Sequence, residues 1–261
     1  EMLRSLVGSE MCIRDRLESP YRTFQLFCFM PIGDCLLRAI PLPSFLSNER
    51  KNNLLINRTA MCTKESKMNY KFDGSKVYFT SDTHFYHSNI IGFCKRPFKN
   101  VEDMNETLIE NWNRVVSQDD IVFHLGDFCM GGSHEWTKIL NRLNGKIYLV
   151  LGNHDLKNIR QGYTSRFELT SMQMHIEVDK QKIYLNHCPL LCYGGAYGNT
   201  WQLFGHVHTS KYNTGKDASR LDMLFPTQYD VGVDNNDFTP VSFAQVKKII
   251  QKQIEQSNKK Q

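Results

Sequence analysis

Side chains able to hold a divalent ion or move a proton recur in this chain at the ends of apolar runs. Val77-Tyr78-Phe79-Thr80 leads into Asp82-Thr83-His84, and Ile121-Val122-Phe123 into His124-Leu125-Gly126-Asp127. Ile147-Tyr148-Leu149-Val150-Leu151 leads into Gly152-Asn153-His154-Asp155. Further on, an alternating stretch ends at His187, and Trp201 to Phe204 runs into Gly205-His206-Val207-His208. Imidazole and carboxylate together suit borderline divalent ions such as manganese, iron, zinc or nickel. Residues two apart in an extended segment share a face, so Asp82/His84 and His206/His208 are each expected to point both side chains into one pocket. Asp82, His84, Asp127, Asn153, His187, His206 and His208 exceed what one tetrahedral ion needs. Two ions about 3.5–4 Å apart, bridged by one carboxylate, would use them all.

The elements that must present these groups are legible as two patterns. Up to Leu151 the strands are continuous apolar runs separated by helical periods, as in buried parallel strands joined by βαβ crossovers. Asn100 is placed to cap a helix with Glu102 and Asp103 in its first turn and Val101, Met104, Leu108, Ile109, Trp112, Val115 and Val116 on one face. Ser133 is expected to cap the next helix, with Trp136, Ile139, Leu140 and Leu143 inward and Asn144-Gly145 stopping it. Beyond it, Met172, Met174, Ile176 and Val178 alternate with polar residues, Asp179-Lys180 turns the chain, and Ile183, Leu185 and His187 alternate again. That is a half-buried antiparallel hairpin. Tyr229 to Val233 adds a strand, and Ser242 with Gln245 has capping-box spacing before a last helix. The implied fold class is α/β: a two-sheet mixed β sandwich flanked by helices, with βαβ units in the first half and polar loops at one shared edge.

Composition narrows the class. The chain has 261 residues, 41% hydrophobic and 23% charged, with a net charge of +5. Those are ordinary values for a globular protein, and the basic excess is too small to argue for a nucleic-acid surface. The cysteines at 12, 28, 35, 62, 94, 129, 188 and 192 lack paired-motif spacing and point to reduced thiols in the cytoplasm. Cys129 and Cys188 lie close to the candidate ligands and are expected as small buried filler. Phe24 to Phe45 is too interrupted by Pro31, Asp34, Arg38 and Pro41 to span a membrane. Residues 1–67 show no sustained period, and the opening EMLRSLVGSEMCIRDR resembles translated sequencing-adaptor sequence. A non-native or disordered extension over 1–67 and a single domain over 68–261 are therefore expected, with the natural start at Met68 or Met61.

The five blocks, in this order, resemble the calcineurin-like metallophosphoesterase superfamily, whose pattern is D-x-H, G-D, G-N-H-D or G-N-H-E, H and G-H-x-H. The match runs from about Val77 to about Val233, and SDTHFYHSNIIGFCKRPF is further similar to a small, compact prokaryotic and phage-associated branch. The resemblance implies that Asp82, His84 and His208 hold a first metal, Asn153, His187 and His206 a second, and that Asp127 bridges them. It also implies that His154 faces the substrate and that Asp155 orients it. The activity implied is hydrolysis of a small phosphodiester or phosphomonoester by a hydroxide bridging two ions, with His154 protonating the leaving oxygen. Arg96, before Pro97, is either a phosphate-binding fork or a loop brace. His87 is a substrate-binding candidate and, with His124, a candidate for fixing ligand tautomers. His134 and His175 are expected on the surface. Nucleic acid is a less favoured substrate, since no capping domain follows the hairpin and no basic stripe carries interleaved aromatics. A non-catalytic protein-binding scaffold is the competing class, against which the presence of His154 argues. Oligomeric state is left open.

Overall fold

A computed structural model describes residues 70–160, 166–210 and 221–259 of the chain. By compactness the chain divides between Lys67 and Met68. The extension expected over residues 1–67 lies outside the described residues. The first described element lies a little before the expected Lys76. Strand β1 (Lys71–Phe72) precedes a 3-10 turn over Gly74–Lys76, capped by Asp73, whose carboxylate accepts the Ser75 N–H.

Strands β2 (Val77–Thr80), β3 (Ile121–His124) and β4 (Lys146–Val150) pair in parallel, with Phe79 opposite Phe123 and Phe123 opposite Tyr148. The connections carry the helices α1 (Ser88–Phe93), α2 (Val101–Val115) and α3 (Ser133–Leu140). In α2 the Asn100 side chain accepts the Asp103 N–H at 2.8 Å, and Met104, Leu108, Ile109 and Trp112 are buried. At α3 the cap differs from expectation. Gly132 occupies the capping position, Ser133 is the first helical residue, and Glu135 reaches back to accept the Gly132 N–H at 2.9 Å. A glutamate three residues on meets the exposed N–H whether or not the capping residue has a hydroxyl.

After the short helix α4 (Leu156–Arg160), β5 (Leu169–Ser171) adds in parallel to β4. Met172 alone then separates it from β6 (Gln173–Val178), which belongs to the other sheet. Met172 is 59% exposed, not inward as its alternation suggested, because the chain is changing sheets there. β6 pairs antiparallel with β7 (Gln181–Asn186), and β8 (Trp201–Phe204) and β9 (Gln228–Asp230) follow in parallel. β10 (Val241–Ser242) returns antiparallel to β2, and α5 (Phe243–Asn258) starts from the Ser242/Gln245 capping box. The two five-stranded sheets run β1-β6-β7-β8-β9 and β10-β2-β3-β4-β5.

Two cores explain the two patterns. Val77, Phe79, Phe123 and Val150 face Ile176, Ile183, Leu185 and Leu203 between the sheets. Their neighbours Val122, Ile147 and Leu149 face Leu108, Trp112, Trp136 and Ile139 of the helices. β2 to β4 are thus covered on both faces, which is why they are apolar throughout. β6 and β7 are covered on one face and alternate. Phe243, Val246 and Ile250 of α5 join the inter-sheet core, Phe243 lying 5.7 Å from the Trp201 ring. Full burial of each such side chain is worth about 1.5–3 kcal/mol.

Candidate metal centre

The carboxyl ends of β2, β3, β4, β7 and β8 deliver the seven candidate ligands to one edge, where the sheets also meet. Ser81 forms a parallel bridge with Gly232, and the Val233 N–H donates to the Ser81 carbonyl at 3.0 Å. At these strand ends the backbone is not extended. Asp82 (φ 58°), His84 (49°), Asp127 (55°), His206 (72°) and His208 (49°) all lie in the left-handed region. The shared pocket of each i,i+2 pair therefore comes from left-handed turns rather than from strand pleat. Each such residue costs about 1–2 kcal/mol, and strain of this kind gathers where side chains must be aimed.

The donor atoms converge in two groups. In one, Asp82 Oδ1 lies 3.9 Å from His84 Nε2 and 3.8 Å from His208 Nε2. In the other, His187 Nε2 lies 3.1 Å from Asn153 Oδ1 and 3.2 Å from His206 Nδ1. Asp127 Oδ2 stands between them, 3.5 Å from both His84 Nε2 and His187 Nε2. Donors bound to one ion at ~2.1 Å lie about 3–4 Å apart, so the spacing suits cations. The chemistry does too: among the described residues Asp82 Oδ1 and His84 Nε2 are buried without a hydrogen-bond partner, a state that interiors rarely tolerate. His187 donates from Nδ1 to the Leu125 carbonyl at 2.7 Å, which leaves Nε2 facing the pocket. Burial holds His84 well below the usual imidazole range, with the His208 charge adding to it. At His187 burial is outweighed by the Asp127 hydrogen bond and the Asp82 charge, which push it up to about 9.

Residues 75–227 match the profile of the calcineurin-like phosphoesterase family. The chain belongs to that family. An uncharacterized protein of Methanocaldococcus jannaschii is 36% identical over 184 residues, covering 68% of this chain and 92% of that protein. The Gene 66 protein of Mycobacterium phage L5 is 31% identical over 153 residues, covering 52% of this chain and 68% of that one. Among solved structures, a protein of unknown function from Aquifex aeolicus superposes with a TM-score of 0.51 at 25% identity, covering 66% of this chain and 98% of that one. Calcineurin-like phosphoesterases act on phosphoester bonds with divalent metal ions, and the ligand groups described here are of the kind such ions require.

Within this phosphoesterase the neighbouring residues take places that differ from expectation. Asp155 is fully buried, and its carboxylate is taken up by backbone N–H groups. Its Oδ2 accepts the N–H groups of Asp127 (2.8 Å) and Gly152 (2.9 Å), and its Oδ1 that of Phe128 (3.0 Å). A short buried acid meets the nearest unpaired donors, here the backbone of two loops, which it ties together. Arg96 is not a substrate fork. Its guanidinium is wholly buried and its donors go to Asp234, the Asp82 and Thr83 carbonyls and Met104 Sδ. Of the two roles open to it, the structure takes the brace. His124 is buried against Thr83 Oγ1 (2.9 Å) and the Gly126 N–H (3.3 Å), so it steadies the loops rather than a ligand imidazole. His87 Nδ1 lies 3.3 Å from His84 Nδ1, and its half-buried ring sits 6.4 Å from that of His154. With His84 Nε2 facing the carboxylates, His84 Nδ1 is the donor in that pair. His154 places its backbone N–H on Asp127 Oδ1 at 2.9 Å and its ring, 41% exposed, at the mouth.

Two acids went unnoticed in the sequence. Asp234, in a 3-10 turn after β9, accepts from His208 Nδ1 at 2.8 Å. Asp230, at the end of β9, accepts the Thr209 hydroxyl at 2.7 Å and the Gly232 N–H at 2.8 Å, and burial pushes its carboxyl up to about 7. The only local signal was their position at and after an apolar strand. His134 and His175 are exposed, Cys129 is buried with its thiol pushed up to about 12 by that burial, and Cys188 is half-buried.

Proposed function

We propose that this protein hydrolyses a small phosphodiester at a two-ion centre, with Asp82, His84 and His208 at the first ion and Asn153, His187 and His206 at the second. Asp127 belongs to both. The observation that carries this reading is Asp127 Oδ2, 3.5 Å from an imidazole of each group, beside the unpartnered Asp82 Oδ1 and His84 Nε2. Two bound divalent ions would supply neutralisation of the phosphate oxygens and a lowered pKa for water between them. The chain's own residues do the rest. His154, exposed at the mouth and 4.0 Å from Asp127 Oδ2, is the group placed to hand a proton to the leaving oxygen. Its backbone N–H on Asp127 keeps the ring over the centre. His87 lines the same mouth from the side of His84.

Substrate size and character are argued from a cleft of about 430 Å³ that opens beside His206. Pro189, Leu191, Val207, Met223 and Leu224 help line it, and among the described residues its lining carries no lysine, arginine or carboxylate. Such an apolar wall suits one neutral ester group, which favours a small diester. The test is turnover of p-nitrophenyl monoesters and diesters with manganese, iron, zinc or nickel. His154→Ala is expected to bind both ions and lose about 10²–10⁴-fold in kcat. Asp127→Asn is expected to lose an ion and the activity together. Wild-type protein that holds two ions and turns over no ester would favour a binding scaffold, and preferential cutting of single-stranded nucleic acid would favour a nuclease.

A further inference from the structure

A metal-bound imidazole is aimed by whatever accepts its second N–H, and such acceptors matter nearly as much as the ligands. At His208 that acceptor is Asp234, and Asp234 is itself held from a distance. Arg96 Nε donates to Asp234 Oδ1 at 2.8 Å and Arg96 Nη2 to Asp234 Oδ2 at 2.7 Å, a two-pronged fork between residues 138 positions apart. The same guanidinium donates from Nη2 to the Asp82 carbonyl at 2.7 Å and from Nη1 to the Thr83 carbonyl at 3.1 Å. Asp82 is where the backbone turns left-handed, so this bond holds the turn that aims the Asp82 carboxylate. Both partners are buried, the Arg96 side chain at 0% and that of Asp234 at 3% exposure. The pair therefore contacts no substrate. A buried ion pair adds little net stability over an apolar pair of similar size, so stability alone does not account for this one.

We propose that Arg96 and Asp234 are a positioning pair for the ion at Asp82, His84 and His208. Asp234 fixes His208 with Nδ1 protonated and Nε2 turned toward Asp82, and Arg96 sets Asp234 and the Asp82 backbone in one frame. Of the three ligands in this group, two are thereby registered to a single guanidinium, whereas its reach to the other group is one step removed, through the His206 N–H that donates to Asp82 Oδ2 at 2.9 Å. The pair's effect should accordingly fall mainly on one ion. This rests on reading the group as an ion site, not on the hydrolysis assigned to it.

The experiment is calorimetric titration of metal-free protein with manganese, resolving two sites, for wild type, Asp234→Asn, Arg96→Lys and the double variant Arg96→Met/Asp234→Leu. The double variant removes both charges at once and so strands neither. Expected is a loss of about 10–100-fold in affinity at one site with the other within about twofold, in each variant that remains folded. The His208 imidazole proton resonance in the metal-free protein should also shift in Asp234→Asn, since its acceptor has changed. Wild-type affinities at both sites, or an equal loss at both, would overturn the proposal. Should Asp234→Asn fail to fold, the double variant decides by the same criterion. Wild type that binds two ions and hydrolyses nothing would sink the catalytic reading and leave this one standing.

Discussion

Asp155 shows how a single residue can matter through the backbone it ties together. Its carboxylate takes three backbone N–H groups, two of them at the candidate ligand loop 127–128 and one at Gly152. Asp155→Ala would leave those buried donors unpaired, at about 1–3 kcal/mol each. Urea unfolding is therefore expected to show a loss on the order of 3 kcal/mol or more; a loss under 1 kcal/mol would mean that water replaces the carboxylate. His124 offers a test by pH. Burial pushes its imidazole down to about 3, against about 6.5 in an unfolded chain. Between those values the unfolded chain binds a proton that the folded one refuses, so this residue's contribution to stability falls as pH drops from about 6.5 toward 3. Asp155, pushed up to about 6 by burial, acts in the opposite sense between about 4 and 6. Comparing wild type with His124→Gln removes that overlap. The variant should lose less stability than wild type between pH 6.5 and 4, and parallel curves would refute the assignment.

At the level of elements, the loops after β3 and β4 approach closely only because glycine stands at both. Gly126 has φ +100°, and a Cβ built there would meet the Gly152 nitrogen at 2.5 Å and His187 Nδ1 at 2.6 Å. Gly126→Ala must push these loops apart, since backbone on the far side cannot yield. Expected are a lowered Tm and weakened manganese binding together, read by thermal melts with and without the ion. Normal ion binding in a folded Gly126→Ala protein would show that the loops have more room than their spacing suggests. The strands and helices that carry the loops were mostly readable beforehand, because apolar periodicity is a local property. β5 was missed, since Leu169–Ser171 is too short for any period, and the change of sheet at Met172 was missed with it.

For the molecule as a whole, the decisive feature is that the candidate ligands come from both sheets. Asp82, His84, Asp127 and Asn153 follow strands of one sheet, and His187, His206 and His208 follow strands of the other. Ions bound at that edge would bind the folded state alone and would clamp the sandwich. Free ion at 100 times its Kd should add about 2.7 kcal/mol, so chelation is expected to lower Tm and readdition to restore it. A Tm indifferent to chelator, at ion concentrations shown to saturate, would mean that the edge is held without them. Among the described residues no helix is long and apolar enough to cross a membrane.

By itself the sequence determined the family, the parallel and alternating strands and the set of candidate ligands, because these depend on residue type, order and short-range period. Only the tertiary structure decided which polar group answers which. Arg96 and Asp234 stand 138 positions apart, and nothing local marks them as partners. Asp155 looked like a companion to its neighbour His154 until folding brought backbone donors of residues 127 and 128 closer. A buried polar group is bound to find a partner, but the partner's identity is set by which distant segments packing brings within 3 Å.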